Sequence, residues 1–166
     1  MLMESFKITT HSAKETQKVA CLFAQEIVKS DFNRKNALVV ALDGNLGGGK
    51  TTFAQGFAKG LGVREKVLSP TFVIMRHHLL INNRRIFHFR RFVHIDAYRL
   101  KSTQELHPLG WQDILKDKDA IVLVEWADRI RRALPKEYIR VQFEFLSERE
   151  RKIIIQNVYQ HKRKKE

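Results

Sequence analysis

Residues 44–52, which read Gly-Asn-Leu-Gly-Gly-Gly-Lys-Thr-Thr, constrain this chain more than any other stretch of its sequence. They match the pattern Gly-x-x-x-x-Gly-Lys-Ser/Thr, in which glycines let the backbone curl so that successive N–H groups point into one concavity. Such a loop surrounds phosphate oxygens, while Lys50 adds a positive charge and Thr51 offers its hydroxyl to a magnesium ion. The motif also requires a strand before the loop and a helix after it.

The flanking residues provide that setting. Residues 37–42 are an unbroken apolar run, which indicates a short buried strand. Beyond the loop, Phe53, Phe57 and Leu61 recur at the spacing of one helix face, and two nearby glycines end the helix. The residues expected to bind the nucleotide phosphates are Gly44, Leu46, Gly47, Gly48, Gly49, Lys50, Thr51 and Thr52. A glycine-rich turn without a ligand is the alternative.

The rest of the chain alternates between strand-like and helix-like patterns. Residues 6–10 and 120–124 read as strands, and Ser12 begins a capping-box pattern that starts a helix. Two late strand patterns, at 138–145 and 152–155, follow each other directly. The predicted fold class is therefore α/β and P-loop NTPase-like, with a central mixed, mainly parallel sheet flanked by helices.

Size and charge bound the possible functions. The length of 166 residues predicts a single domain over 1–166, with an ordered core over about 6–155 and a basic tail at 160–166. The net charge of +13 favours a polyanionic partner, such as nucleic acid, or else a generally basic surface. No apolar run is long enough to span a bilayer and the N-terminus lacks a signal-peptide core, so we expect a cytoplasmic protein without membrane contact. The single cysteine, Cys21, excludes a disulfide framework.

Two acidic residues follow apolar runs, where buried strands are expected to emerge. Glu125 comes after four aliphatic residues and is the candidate metal-side carboxylate, with Thr51 as the other protein ligand to Mg²⁺. Asp96 is the second candidate, because a carboxylate there would order the attacking water or the metal. A solvated acid at a strand end is the alternative for Glu125. His94 and Tyr98, beside Asp96, are expected to pack and cap.

Four motifs occur in a characteristic order. They are the loop at 44–52, Ser-Pro-Thr-Phe at 69–72, His-Ile-Asp-Ala-Tyr-Arg-Leu at 94–100, and Glu-Trp at 125–126. Together they resemble the TsaE family, the bacterial P-loop ATPases of tRNA threonylcarbamoyladenosine synthesis. The resemblance covers about residues 6–155.

The resemblance implies a small α/β ATPase that binds ATP and Mg²⁺ and joins TsaB and TsaD. In that family TsaD carries the threonylcarbamoyl transfer to the adenosine beside the anticodon, and ATP hydrolysis is thought to reset the complex between turnovers. Contact with tRNA, directly or through the complex, is a further expectation.

The resemblance also assigns site residues. It implies catalytic roles for Lys50, Asp96 and Glu125, and it implies that Glu125 also binds the metal. The family places an arginine from before the last strand at the nucleotide; Arg149 is the nearest match, with Arg151 close behind.

Other expectations concern segments around the loop. The resemblance implies that residues 69–71 respond to nucleotide state and that the stretch near Ser12 lies by the nucleotide. Asn45 stands where the family usually has Asp, and Gly48 where it usually has Ala, and neither change removes a phosphate donor. Residues 73–93, with a predicted turn at 82–83 and a strand from 86, are longer and more basic than usual.

Two other functions remain open from the sequence. A small-molecule or nucleotide kinase shares the loop, and the arginines between 84 and 91 would then form a phosphate-clamping lid. A non-catalytic, nucleotide-gated tRNA-binding module is suggested by the charge. A GTPase is disfavoured because the chain has no Asn-Lys-x-Asp motif.

Overall fold

The computed structural model describes residues 5–30, 34–65, 73–80 and 89–159, and seven strands among them form one sheet. The strands are β1 (Phe6–Thr10), β2 (Leu38–Gly44), β3 (Met75–Leu79), β4 (Arg91–Asp96), β5 (Ala120–Glu125), β6 (Glu137–Phe145) and β7 (Arg151–Tyr159). Their order across the sheet is β1-β7-β6-β2-β5-β4-β3.

The middle of the sheet is parallel and both edges are antiparallel. Strands β6, β2, β5 and β4 run in one direction. At one edge β3 pairs antiparallel with β4, and at the other β7 pairs antiparallel with β6 and β1 with β7. Parallel neighbours need crossover connections, whereas β6 and β7 follow each other closely enough to form a hairpin. The predicted α/β fold with a mixed, mainly parallel sheet is confirmed.

Helices cover both faces of the sheet, and each face has its own apolar core. The helices α1 (Ala13–Lys29) and α2 (Lys50–Gly60) cover one face. The helix α3 (Trp111–Lys116) and the 3₁₀ helices Thr103–Leu109 and Ala127–Ala133 cover the other. Because β2 and β5 are covered on both sides, their sequences are nearly continuous apolar runs.

Glycines set the distance between α1 and α2. A Cβ atom at Gly56 would lie 2.2 Å from the carbonyl oxygen of Gln17, and one at Gly60 would lie 2.4 Å from that of Cys21. Only glycine therefore allows the two helix backbones to approach this closely. This contact holds α2, and the loop that precedes it, at a defined position over the sheet.

Most local expectations agree with these elements. The Ser12 hydroxyl accepts a hydrogen bond of 3.1 Å from the Glu15 N–H and caps α1 as the pattern predicts. Strand β7 continues past Ile155 to Tyr159, so it is longer than expected. Phe145 shares the apolar alternation of β6, yet its side chain is exposed.

Several expectations lie outside the described residues: those for 69–71, for the turn at 82–83, for a strand starting at 86, and for the tail at 160–166. Within the described part of the chain, no helix is both long enough and apolar enough to cross a bilayer.

Candidate active site

The phosphate loop joins the end of β2 to the start of α2, and three of its glycines have left-handed backbone angles. The φ values are +143° at Gly44, +74° at Gly47 and +102° at Gly49. At Gly44 a Cβ atom would also lie 2.7 Å from the carbonyl oxygen of Phe143 on β6. L-residues with side chains rarely adopt these angles, so this loop conformation depends on glycine.

The N-terminus of α2 presents free backbone donors to the loop. The first helical bond at this end runs from the Phe53 N–H to the Gly49 carbonyl, at 2.8 Å. The N–H groups of Lys50, Thr51 and Thr52 therefore precede the helical ladder and have no intrahelical acceptor. Such groups, together with the helix dipole, favour a phosphate at this end.

The middle of the loop shows what the departures from the family pattern do. The Gly48 N–H donates to the Asn45 carbonyl at 3.1 Å. A Cβ atom at Gly48 would lie 2.9 Å from that oxygen, so a side chain here would require the turn to shift slightly. Leu46 points away from the core and is 79% exposed. Asn45 and Leu46 are therefore exposed in this turn, whereas Gly48 is buried.

Lys50 is folded back onto the loop. Its ammonium donates to the carbonyl oxygens of Gly44 at 2.7 Å and Asn45 at 2.8 Å, and it lies 3.7 Å from the centroid of the Trp126 ring. Burial lowers the pKa of Lys50, and nearby carboxylates oppose this shift. Those carboxylates belong to Glu125, Asp128, Asp96 and Asp43. The charge that a phosphate would need is therefore already inside the loop.

Glu125 connects β5 to the loop. The Thr51 hydroxyl donates to Oε2 of Glu125 at 2.7 Å, and Nε2 of His94 lies 2.8 Å from Oε1 of the same carboxylate. Glu125 and His94 are almost completely buried. Both carboxylate oxygens thus have partners, one on α2 and one on β4.

Asp96 lies directly opposite Glu125 in the parallel pairing of β4 with β5. Opposed residues of neighbouring strands project from the same face of a sheet, so both carboxylates face α2. Asp96 is buried, and its Oδ1 accepts a hydrogen bond of 2.9 Å from the Tyr98 N–H. Two buried acids therefore meet at the carboxyl edge of the parallel sheet, with Lys50 as the neighbouring cation.

An aromatic wall closes one side of the site. Trp126 has a left-handed backbone, with φ +59°, and its ring lies 4.9 Å from that of Tyr98. The guanidinium of Arg129 stands 5.0 Å from the Tyr98 ring centroid. The unusual backbone at Trp126 turns its ring back over Lys50 as the chain leaves β5.

The structure brings Arg151, rather than Arg149, to the loop. The Nε of Arg151 donates to the Gly47 carbonyl at 3.2 Å, and its Nη1 donates to carbonyls in the turn between β6 and β7. Arg149 lies exposed in that turn. Arg149 stays a prediction for nucleotide contact, while the geometry favours Arg151.

A magnesium ion fits this site in a particular way. In the described ranges no group of three or more His, Cys, Asp or Glu side chains is arranged to hold a metal. Thr51 and Glu125 supply hydroxyl and carboxylate oxygen, the ligand type that Mg²⁺ prefers. Mg²⁺ usually takes one or two protein ligands and completes its shell with phosphate oxygens and water. The residues present match that usage.

Sequence reasoning placed the loop and both acids but assigned His94 only to packing. The His-x-Asp spacing could have indicated a role at the site. Residues two positions apart on a strand project from the same face, so His94 lies on the same face as Asp96.

Comparison with known proteins gives the family. Residues 10–153 match the family described as "Threonylcarbamoyl adenosine biosynthesis protein TsaE". The tRNA threonylcarbamoyladenosine biosynthesis protein TsaE of Bacillus subtilis is 34% identical over 151 residues, covering 91% of this chain and 85% of that protein. The protein of the same name from Rickettsia felis is 33% identical over 142 residues, which cover 85% of this chain and 74% of that protein. The crystal structure of Bacillus subtilis YdiB superposes on this chain with a TM-score of 0.69 at 30% sequence identity. The match covers 96% of this chain and 88% of YdiB.

The fold and the loop define a P-loop nucleotide-binding protein. The chain belongs to the TsaE family, whose role is in tRNA threonylcarbamoyladenosine biosynthesis.

Proposed function

We propose that this chain is an ATP-binding and ATP-hydrolysing subunit required for threonylcarbamoyladenosine modification of tRNA next to the anticodon. The observation that carries the proposal is the contact between Thr51, on the first turn of α2, and the buried Glu125 at the end of β5. It brings a hydroxyl and a carboxylate together beside a loop suited to phosphate.

Each residue has a distinct part in the proposed reaction. The loop glycines and the free N–H groups of α2 hold the phosphates, and Lys50 moves from the loop carbonyls to the β- and γ-phosphate oxygens. Thr51 and Glu125 hold Mg²⁺, which supplies charge neutralisation on the phosphates when bound. Asp96 orients the attacking water, since a buried carboxylate beside the phosphates can accept its proton.

The proposed setting is the TsaB–TsaD complex in the cytoplasm, where the chain acts on a tRNA-bound assembly. This rests on membership of the TsaE family and on the net charge of +13, which suits approach to a polyanion. Hydrolysis by the chain alone should be slow, because the sequence offers no identifiable arginine finger or water-positioning glutamine in cis.

Reconstitution tests the proposal. TsaB, TsaD, tRNA and the threonylcarbamoyl donor are combined with the wild-type chain, with the Lys50→Ala variant, or without either, and modified tRNA is counted per TsaD. We expect many turnovers only with the wild-type chain. Equal multiple turnover in all three mixtures would refute the proposed role.

An ATPase assay separates the proposal from a kinase. ATP consumption is measured for the chain alone, with TsaB and TsaD, and with candidate phosphate acceptors. The proposal expects stimulation by TsaB and TsaD and release of inorganic phosphate. Acceptor-dependent consumption that produces a phosphorylated small molecule, without the partners, would favour the kinase instead.

A further inference from the structure

The imidazole of His94 occupies a place in the core that an apolar ring would fill at lower cost. His94 is completely buried on β4, and its ring stacks on Phe92 with centroids 6.1 Å apart and planes at 17°. Its Nδ1 is buried without a hydrogen-bond partner among the described residues. Phenylalanine would keep the stacking and would not bury an unpaired Nδ1, so packing alone does not explain a histidine here.

What the histidine adds is its bond to Glu125. An ionised carboxylate only accepts hydrogen bonds, so the 2.8 Å contact between Nε2 and Oε1 requires the proton to be on Nε2. In the neutral imidazole with Nε2–H, Nδ1 carries no proton, and no described group bonds to it. The contact therefore favours the Nε2–H tautomer of the neutral imidazole.

The same bond orients the carboxylate. With Oε1 held by His94, Oε2 is directed at the Thr51 hydroxyl, 2.7 Å away. Asp96 stands opposite Glu125 on the same face of the sheet, so the Glu125 side chain needs a defined orientation to face Thr51. His94 restrains rotation of the Glu125 carboxylate from within a strand, and the His94 ring is itself held by stacking on Phe92.

We propose that His94 is the positioning residue that holds Glu125 in the orientation needed for the Thr51–Glu125 magnesium site. The inference rests on the proposed function, since it concerns the same site. It extends that function to a residue that acts through its hydrogen bond to Glu125. A partner of this kind, bonded to a metal ligand, commonly governs metal affinity.

Two substitutions distinguish the effect of the hydrogen-bond donor of His94 from the effect of its stacked ring. His94→Phe keeps the stacking and removes the donor, whereas His94→Gln removes the ring and keeps an N–H donor. Dissociation constants for a non-hydrolysable ATP analogue are measured with Mg²⁺ and with EDTA. The ratio of the two dissociation constants gives the affinity gained from Mg²⁺. We expect His94→Phe to lower this gain by about 10-fold and to leave the affinity for the analogue in EDTA unchanged. His94→Gln should retain most of the gain.

Other outcomes of this measurement count against the inference. An unchanged Mg²⁺ gain in His94→Phe would overturn it. Equal losses in Mg²⁺ and in EDTA would show a purely structural role. In a Glu125→Ala background, His94→Phe should have no further effect on the gain, and an additive loss would also contradict positioning through Glu125.

A ligand-free measurement tests the contact by itself. Nitrogen-15 NMR of the histidine rings, with His94 assigned by its loss in His94→Gln, should show a protonated Nε2 and a bare Nδ1, and Glu125→Ala should shift that signal. The opposite tautomer would overturn the inference even if His94→Phe failed to fold. A parent chain that binds no nucleotide would refute the proposed function, and the NMR result would still decide the contact.

Discussion

The Thr51 hydroxyl donates a hydrogen bond of 2.7 Å to Oε2 of Glu125, although 74 positions separate the two residues in the chain. Thr51 belongs to the phosphate loop and Glu125 to the end of a different strand. The contact exists because β2 and β5 are parallel neighbours, so that their carboxyl ends meet at one edge of the sheet. Parallel sheets commonly bind ligands at this edge.

Lys50→Ala should weaken nucleotide binding by about 10- to 100-fold, since a charged hydrogen bond to phosphate is lost. The fold should persist, because the Lys50 ammonium bonds to the carbonyl oxygens of Gly44 and Asn45 at the loop and not within either apolar core. Isothermal titration with an ATP analogue measures the first effect and thermal unfolding the second. Lys59→Ala, at an exposed position of the same helix, is the matched control. Unaltered affinity in Lys50→Ala would place the phosphates elsewhere.

Asp96→Ala should reduce hydrolysis by about 100-fold and change ATP binding much less, because its proposed action is on the attacking water. Glu125→Ala should differ, weakening Mg²⁺-dependent binding as well as turnover. Single-turnover kinetics with TsaB and TsaD present, combined with binding isotherms, distinguish the two patterns. Normal partner-stimulated hydrolysis by Asp96→Ala would remove its assigned role.

Arg151→Ala should weaken nucleotide binding by about 3- to 10-fold, since its side chain braces the loop through the Gly47 carbonyl. Arg149→Ala is the matched comparison: it removes the same charge two positions away, from an exposed turn. Titration of both variants with one ATP analogue decides between the residues. A larger loss in Arg149→Ala would restore the assignment that the family resemblance suggested.

Gly56→Ala should lower the free energy of unfolding by about 1–3 kcal/mol, the usual cost of overpacking. The added methyl group would lie 2.2 Å from the Gln17 carbonyl, so α1 and α2 must move apart. Urea unfolding followed by circular dichroism measures the change. Lys59→Ala should remain close to the wild type, because Lys59 is exposed. Wild-type stability in Gly56→Ala would mean that the helices separate without cost.

His78 should make the fold less stable as the pH falls below about 6.5. Burial lowers the pKa of His78, Glu65 opposes this shift, and the positive charge of Arg76 adds to it. His78 therefore takes up a proton at a higher pH in the unfolded chain than in the folded chain. The free energy of unfolding falls as the pH drops from about 6.5 toward the lower pKa of the folded state.

Thermal unfolding between pH 7.5 and 5 (roughly the range of histidine titration) tests this effect. His78→Phe keeps a ring against Phe92 and should flatten the pH dependence. His77→Phe, at the neighbouring exposed position of β3, is the control. Identical slopes for wild type and His78→Phe would exclude His78 as the source.

Local patterns were sufficient for much of the fold. The strand before the loop, the capped start of α1 and the alternation along β6 are set by neighbouring residues. They appear where the sequence predicts them, apart from the exposed Phe145 at the end of β6. The fold class followed from the order of such elements. The end of β7 was less predictable, because pairing with β6 extends a strand beyond what its own apolar residues indicate.

The amino-acid sequence by itself determined that a glycine loop with Lys50 and Thr51 lies between a buried strand and a helix, since these features depend on residues close together in the chain. Only the tertiary structure decided which distant groups meet there. Strand register put Asp96 opposite Glu125, and side-chain direction gave Glu125 both Thr51 and His94 as partners. The hairpin of β6 and β7 brought Arg151 to Gly47. Such contacts depend on how strands are ordered and aligned across the sheet, which short-range patterns do not encode.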